Sequence, residues 1–164
     1  MDQKVSFHIG GCTGEDLDHP ARELSGSALG RGWQSPRFCS WPQELVLTLD
    51  RPSTLSSIQV LCHEYKIPRF VTIFVSSLPL NCTDPSTAVE RRLGHVRMDD
   101  NQRSSYQARE LKTVQLDHIS ACSVRFVLDQ CHVNEHNIYN QVGLMAINIT
   151  GTFSYTLWQL MSAW

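Results

Sequence analysis

The sequence lacks the short motifs by which common enzyme classes are recognised. No G-x-S-x-G is present, which excludes the strained turn that exposes a nucleophilic serine in α/β-hydrolases. Neither of the glycine spacings that cradle a phosphate group occurs. Asp99 and Asp100 are adjacent carboxylates in a polar stretch, and such pairs are typical of a solvated turn. These absences predict a protein that is not an enzyme and binds no cofactor.

Lysine is scarce and the net charge is small. The chain has three lysines against eleven arginines, and its formal net charge is −2. This balance gives no basis for non-specific binding to nucleic acid or to an anionic membrane. Arginine makes bidentate and stacked contacts at interfaces, so its excess favours a protein partner. Compositional drift explains the same excess and stays open as the alternative.

Long apolar runs and zinc-type cysteine pairs are also missing. No run approaches the roughly 20 apolar residues of a membrane span, and the first residues hold no apolar signal-peptide core. We therefore expect a cytoplasmic location and no membrane insertion. Six cysteines would allow a disulfide framework, but no C-x-x-C occurs. A cytosolic chain of this length predicts reduced, mostly buried thiols.

Helical periodicity is absent as well. No segment longer than about ten residues repeats apolar side chains every 3.6 positions, whereas short alternating runs recur between turn signals. This pattern is typical of an all-β fold, and we predict one antiparallel β-sandwich. The predicted strands are Val5–Ile9, Gln43–Leu49, Ser56–Cys62, Arg69–Ser76, Leu93–Met98, Ala108–Leu116, Val124–Leu128 and Val142–Ile149. Asp50–Ser53 is predicted to be a turn between two of them.

The last two apolar runs flank a polar, asparagine-rich connection. Val124–Leu128 and Val142–Ile149 are predicted to form a hairpin-like pair of core strands. Asparagine side chains bond to nearby backbone, so the connection is expected to be a structured loop rather than a helix. Asn137, Asn140 and Gln141 are expected to satisfy buried backbone groups in that loop.

Two further features concern the core and the chain end. Trp33 and Phe38 have large apolar areas, and we expect both to plug one end of the core. The domain is predicted to cover residues 1–151. Residues 152–164 form an apolar, uncharged C-terminal tail, which we interpret as a truncated or alternative end.

Four segments carry a resemblance to a known family: GWQSPRFCSWPQELVLTL, RRLGHV, ARELKTVQLD and NIYNQVGLMAINITG. Together they resemble the N-terminal jelly-roll domain, discoidin-like and galactose-binding-like, of the centrosomal protein of 104 kDa family. The resemblance implies a jelly roll and a non-enzymatic interaction domain of the centrosome, centriole and cilium. It further implies centrosomal or ciliary protein partners, a role in cilium assembly and microtubule-end organisation, and tubulin binding only through domains absent from this chain.

A sandwich of this type would gather several loops at one end, and those loops carry residue types enriched in interface hot spots. The candidate protein-binding residues are Arg37, Trp41, His63, Tyr65, His132 and Tyr139. A carbohydrate-binding module is the alternative function, with Trp33, Trp41, Tyr65 and Tyr139 as candidate stacking platforms.

Two places in the predicted loops carry residue types that can bind a metal ion. Cys131, His132, Glu135 and His136 include histidines at the i, i+4 spacing of a helical zinc pair, although the asparagines around them favour a loop. Asp16 and Asp18 offer carboxylates for calcium, without a dense cluster of oxygen atoms. We therefore predict no metal site.

Overall fold

The computed structural model describes residues 1–25, 30–77 and 90–155. It contains two short 3₁₀-helices, Ala21–Leu24 and Gln102–Ser104, and eight strands. The strands are β1 (Gln3–Lys4), β2 (Phe7–Cys12), β3 (Trp33–Gln34), β4 (Gln43–Cys62), β5 (Phe70–Ser76), β6 (Glu90–Arg97), β7 (Leu111–Leu128) and β8 (Gly143–Phe153). Within the described ranges, no helix has the length and apolar character needed to cross a membrane.

Two long strands, β4 and β7, build both layers of the structure. Residues 43–48 of β4 pair with residues 123–128 of β7, and residues 45–49 of β4 pair with β2. The same part of β7 pairs with β5, and β5 pairs with β6. Residues 53–62 of β4 pair with β8 and with residues 111–121 of β7. The short strands β1 and β3 both pair with β8. All of these pairings are antiparallel, and the prediction of an all-β jelly-roll sandwich is confirmed.

The turn predicted at Asp50–Ser53 is wrong, because β4 runs through it. The register of β4 against β7 shifts between Thr48 and Ser53, where β4 carries extra residues that bend it from one layer into the other. Ala108–Leu116 and Val124–Leu128 likewise belong largely to one bent strand, β7. The residues of Asp50–Ser53 that are typical of turns therefore lie in the bend of a continuous strand.

The predicted hairpin of the last two core strands is also wrong. β7 and β8 are neighbours in sequence but do not pair with each other; β4 lies between them and pairs with both. The long connection between β7 and β8 therefore crosses the end of the sandwich instead of closing a hairpin. This crossing brings its asparagine-rich residues over the ends of several other strands.

The core lies between the layers and follows the strand alternation. β5 buries Val71, Ile73 and Val75 and leaves its other positions half-buried, as a strand with one face on the core does. Trp33 is completely buried, and its indole Nε1 donates a hydrogen bond to the carbonyl of Gly14 at 3.1 Å, so its role as a core plug is confirmed. Phe38 is 68% exposed, and its predicted burial is wrong.

The final strand continues past the predicted domain boundary at Gly151. Thr152 and Phe153 extend β8 and pair with Thr54 and Ser53 of β4. The guanidinium of Arg51 also lies 5.2 Å from the centre of the Phe153 ring. Part of the segment interpreted as a tail is thus sheet, and residues 156–164 lie outside the described residues.

Two truncations separate these parts of the C-terminal segment. Removing residues 156–164 should leave the domain folded. Removing residues 152–164 should additionally lower the free energy of unfolding by about 1–2 kcal/mol, because two cross-strand pairs and one cation–π contact are lost. Urea unfolding of the two chains, compared with each other, measures this difference. Equal free energies of unfolding for the two truncated chains would show that the strand residues after Gly151 do not contribute to stability.

Candidate functional site at the loop end

Four connections meet at one end of the sandwich, which we call the loop end. They are residues 13–42 with β3 inside them, residues 63–69, residues 98–110 and residues 129–142. They meet because β4 and β7 bend from one layer into the other, which returns both ends of each long strand to the same end of the sandwich. The start of β5, the end of β6 and the start of β8 lie beside these strand ends. All six predicted binding residues fall in these connections.

The centre of the loop end is the side chain of Gln141, which is 1% exposed. Its Nε2 donates to the carbonyl oxygen of Ser35 at 2.7 Å and to Oδ2 of Asp16 at 3.1 Å. Its Oε1 accepts from Nζ of Lys66 at 2.8 Å, and the same ammonium donates to Oε1 of Gln34. One buried amide therefore joins three of the four connections.

Asparagine and serine side chains complete this network through the backbone. Oδ1 of Asn137 accepts from the amide of Gln141, and Nδ2 of Asn137 donates to the carbonyl of Gln141. Oγ of Ser35 accepts from the amide of Val142 at 3.1 Å. Asn137 and Gln141 thus satisfy buried backbone as expected, whereas Asn140 is exposed and takes a left-handed conformation at φ 48°.

Asp16 is the acidic member of this network. Its carboxylate accepts hydrogen bonds from the Asp18 backbone, the Gln141 amide and the His19 ring. Burial raises the pKa of the Asp16 carboxyl, but these hydrogen bonds outweigh it and hold the pKa below its ordinary value. A carboxylate already surrounded by donors and by Arg37 is a poor calcium ligand.

Arg37 and Tyr139 form the first surface feature of the loop end. The guanidinium carbon of Arg37 lies 4.1 Å from the centre of the Tyr139 ring, and its Nε lies 3.8 Å from Oδ2 of Asp16. Phe38 contacts the same tyrosine edge-to-face at 5.9 Å, and its amide donates to the Tyr139 carbonyl. Three side chains from two connections are thereby held in one cluster.

A row of rings forms the second surface feature. His63 packs edge-on against Tyr65 with 4.5 Å between ring centres, and Tyr65 lies 5.6 Å from His136. Tyr106 continues the row, 4.9 Å from His136. Nδ2 of Asn134 donates to the Tyr65 carbonyl at 2.8 Å, which ties the row to the connection between β7 and β8.

His63 is the member of this row that burial affects most strongly. Burial lowers its pKa to about 4, although the adjacent Glu64 carboxylate acts in the opposite direction. At neutral pH its Nδ1 therefore accepts from the backbone amides of Tyr65 at 3.3 Å and Lys66 at 3.4 Å. Protonation would turn this acceptor into a donor and break both contacts.

Two of the predicted residues play supporting parts. Trp41 is half-buried and packs against the core. Nε2 of His132 lies 2.9 Å from the carbonyl of Met98, which directly follows β6. This contact ties the connection between β7 and β8 to the end of β6. His136 instead faces Tyr65 and Tyr106, and the described residues hold no cluster of three metal-ligating side chains.

The sequence did not predict that large apolar side chains are exposed at the loop end. They are Leu17 at 97% exposure, Phe38 at 68%, Val133 at 71% and Ile138 at 64%. Leu17 and Arg37 also line an open groove of about 450 Å³ with Glu15, Asp18 and Pro36. In the sequence these residues are single apolar positions inside polar loops. Apolar loop residues that fill the core show the same pattern, so the sequence does not distinguish the two.

The candidate sugar platforms are poorly placed for stacking. Trp33 is buried, and Trp41 packs against the core. One face of Tyr139 is occupied by Arg37, and Tyr65 is flanked by His63 and His136. Stacking on a sugar requires an open aromatic face beside polar groups, and each of these rings is already engaged.

Comparison with known families matches residues 32–151 to the family described as "Centrosomal protein CEP104, N-terminal domain". The centrosomal protein of 104 kDa from Homo sapiens is 39% identical over 153 residues, which cover 92% of this chain and 16% of that protein. The Mus musculus protein gives the same identity and coverage. This chain thus spans about 16% of the length of the curated relatives it matches.

Solved structures with low sequence identity share the fold. The family 32 carbohydrate-binding module of Clostridium perfringens NanJ, solved with galactose, has a TM-score of 0.68 at 16% identity, covering 92% of this chain and 99% of that one. The N-terminal domain of the single-strand break repair protein XRCC1 has a TM-score of 0.69 at 16% identity, covering 89% and 97%. Identities this low establish the fold alone.

The buried histidine makes the stability of the loop end depend on pH. The pKa of His63 is about 4 in the folded chain and about 6.5 when unfolded, so the unfolded chain binds more protons between these values. Stability should therefore fall as the pH drops from about 6.5 to 4, by about 1–2 kcal/mol from this group after allowing for solvent screening.

The matched variant is His63→Asn, whose Oδ1 can accept the same two amides without titrating. Urea unfolding at several pH values should give a shallower acid slope for this variant than for the wild type. Parallel slopes would contradict the assignment of a neutral, buried His63.

Proposed function

The chain belongs to the family of the N-terminal domain of centrosomal protein CEP104, and on that premise we propose that it is a non-enzymatic protein-interaction module acting at the centrosome and cilium. Its binding surface is the loop end. Its partners are centrosomal or ciliary proteins, and through them the domain contributes to cilium assembly and microtubule-end organisation. Tubulin is contacted only through domains outside this chain.

The observation that carries this proposal is the exposed apolar and aromatic cluster fixed on a buried polar network. Phe38 and Ile138 are mostly exposed, and Phe38 contacts Tyr139. Tyr139 in turn stacks under Arg37, whose charge is anchored by Asp16. Apolar groups exposed together at one end of a domain are typical of a contact surface.

The residue types also fit recognition of a protein. Tyrosine and arginine are enriched among the interface residues that lose most binding energy when truncated. Here both are held in place before binding, since the Tyr139 ring lies between Arg37 and Phe38. A surface that is already ordered loses less side-chain entropy on association than a mobile one.

Catalysis is not supported at the same place. The titratable groups of the network are engaged with one another: Asp16 with Arg37 and Gln141, and Lys66 with Gln34 and Gln141. A general base or nucleophile has to present a free lone pair to a substrate. The polar groups of this buried network therefore support the loops, and the exposed groups around them include the apolar and aromatic side chains described above.

Single substitutions at this surface should weaken partner binding with little effect on folding. Tyr139→Ala and Phe38→Ser should each cost about 2 kcal/mol or more of binding free energy, which corresponds to at least about thirtyfold in affinity. The measurement is quantitative recovery of centrosomal and ciliary proteins from ciliated cells on the immobilised domain.

Tyr155→Ala is the matched control, because Tyr155 is 78% exposed and its neighbour Ser154 bonds to Pro52 at the opposite end of the sandwich. The melting temperatures of all three variants should stay within about 4 °C of the wild type, the shift expected for about 1 kcal/mol in a domain of this size. Equal partner recovery by the control and by the loop-end variants would contradict the proposal.

A further inference from the structure

One layer of the sandwich consists of β2, β5, β6 and the parts of β4 and β7 that pair with them. The face of this layer that points away from the core carries apolar residues and forms a second surface of interest. Alternation along β5 and β7 turns Phe70, Phe74 and Val127 outward, away from the buried positions between them. The outward face of a sandwich layer normally carries polar residues. Each apolar residue on this face therefore needs a structural reason.

Phe74 has such a reason. The guanidinium of Arg125 lies 4.2 Å from the centre of its ring, and register pairing places the two residues side by side. Arg125 is held there by two 2.7 Å contacts to the Glu90 carboxylate and one of 3.1 Å to Glu44. This part of the face is covered, and its charge is neutralised within the domain.

Phe70 and Val127 are not covered in that way. Together with Pro42, Thr72, His95 and Asp129 they line an open trough of about 470 Å³. That volume lies in the range of about 300–1,000 Å³ usual for ligand pockets. His95 forms one wall: its ring packs edge-on against Phe70 at 5.4 Å, and Nη2 of Arg92 lies 3.4 Å from its Nδ1.

The β6 side of the trough is positively charged. Arg92 and Arg97 are exposed, and their register opposite Phe74 and Phe70 places them on the outward face. Neither arginine forms an ion pair with any carboxylate in the parts of the chain that the structure describes. The exposed carboxylate of Asp129 also lines the trough, but it follows β7, on the opposite side of β5 from β6. Two cations without an ion pair on the β6 side therefore complement a ligand that places acidic groups there beside an apolar group.

We propose that this trough binds an extended segment of a partner protein that seats one bulky apolar side chain on Phe70 and Val127. Acidic residues flanking that side chain pair with Arg92 and Arg97. A second copy of this chain is a poorer occupant, because face-to-face packing about a two-fold axis would bring the same arginines together. Pro42 and Asp129 at the rim of the trough belong to loop-end connections, but the site includes none of Arg37, Phe38 and Tyr139, and it stands independently of the function proposed for them.

The test uses the full chain and short synthetic peptides in a fluorescence anisotropy titration. Each peptide carries a central Leu, Phe or Trp flanked by Asp and Glu, and matched peptides carry Ser or Lys in the flanks. We expect the acid-flanked peptides alone to bind, with an affinity that falls as salt is added. Arg92→Glu combined with Arg97→Glu should weaken binding by about fivefold or more.

Lys4→Glu combined with Arg22→Glu is the control, with the same change in net charge at other exposed positions. It should bind like the wild type. Val127→Asp, which removes the apolar floor at a half-buried position, should abolish binding while the melting temperature stays close to that of the wild type.

Undetectable binding, binding indifferent to the flanking charge, or equal losses in the control would overturn the proposal. So would concentration-dependent dimers that dissociate in the Arg92/Arg97 variant, or loss of peptide binding on Tyr139→Ala alone.

Discussion

The loop end depends on the hydrogen bonds of one buried amide, the side chain of Gln141. A buried amide costs stability unless its donors and acceptor find partners inside the protein. Gln141 finds them in Ser35, Asp16 and Lys66, which come from connections far apart in the sequence. The hydrogen bonds of this one side chain therefore fix the positions of several loops relative to one another. The surface residues carried by those loops are held in place as a result.

The same network explains which groups are available to a partner. Asp16 is hydrogen-bonded to Gln141 and lies against Arg37, and Lys66 is hydrogen-bonded to Gln34 and Gln141, so these charged groups already have partners inside the loop end. The outside of the loop end exposes four large apolar side chains, Leu17, Phe38, Val133 and Ile138, among charged and polar residues. Exposed apolar and aromatic side chains held by an internal network of this kind support the proposal of a protein-binding surface.

Local alternation of side chains was enough to predict the fold class but not the path of the chain. The patterns around β5 and β8 located real strands, and segments such as Asn137–Gly151 carried the family resemblance. Asp50 and Pro52 indicated a turn, yet the structure uses them in a bend of β4, because two long strands must pass from layer to layer. The order of strands, with β4 between β7 and β8, is a long-range property that neighbouring residues do not encode.

The candidate site was predictable only in part for the same reason. Arg37 and Tyr139 were identified by residue type, but their contact joins positions about a hundred residues apart in the chain. The partners of Gln141 lie 75 and 125 positions away, so a single sequence cannot pair them. Composition also could not separate Trp33, which fills the core, from Phe38, which is exposed beside it. Both are aromatic residues in the same loop, and only the packing distinguishes them.

The most direct test of the loop end as the recognition surface is site-specific photo-crosslinking in ciliated cells. A photoreactive benzoylphenylalanine would replace Phe38 in one chain and Tyr155, at the opposite end of the sandwich, in another. The account predicts that centrosomal or ciliary proteins are captured from position 38 and not from position 155. Capture of the same proteins equally from both positions, or from position 155 alone, would contradict it.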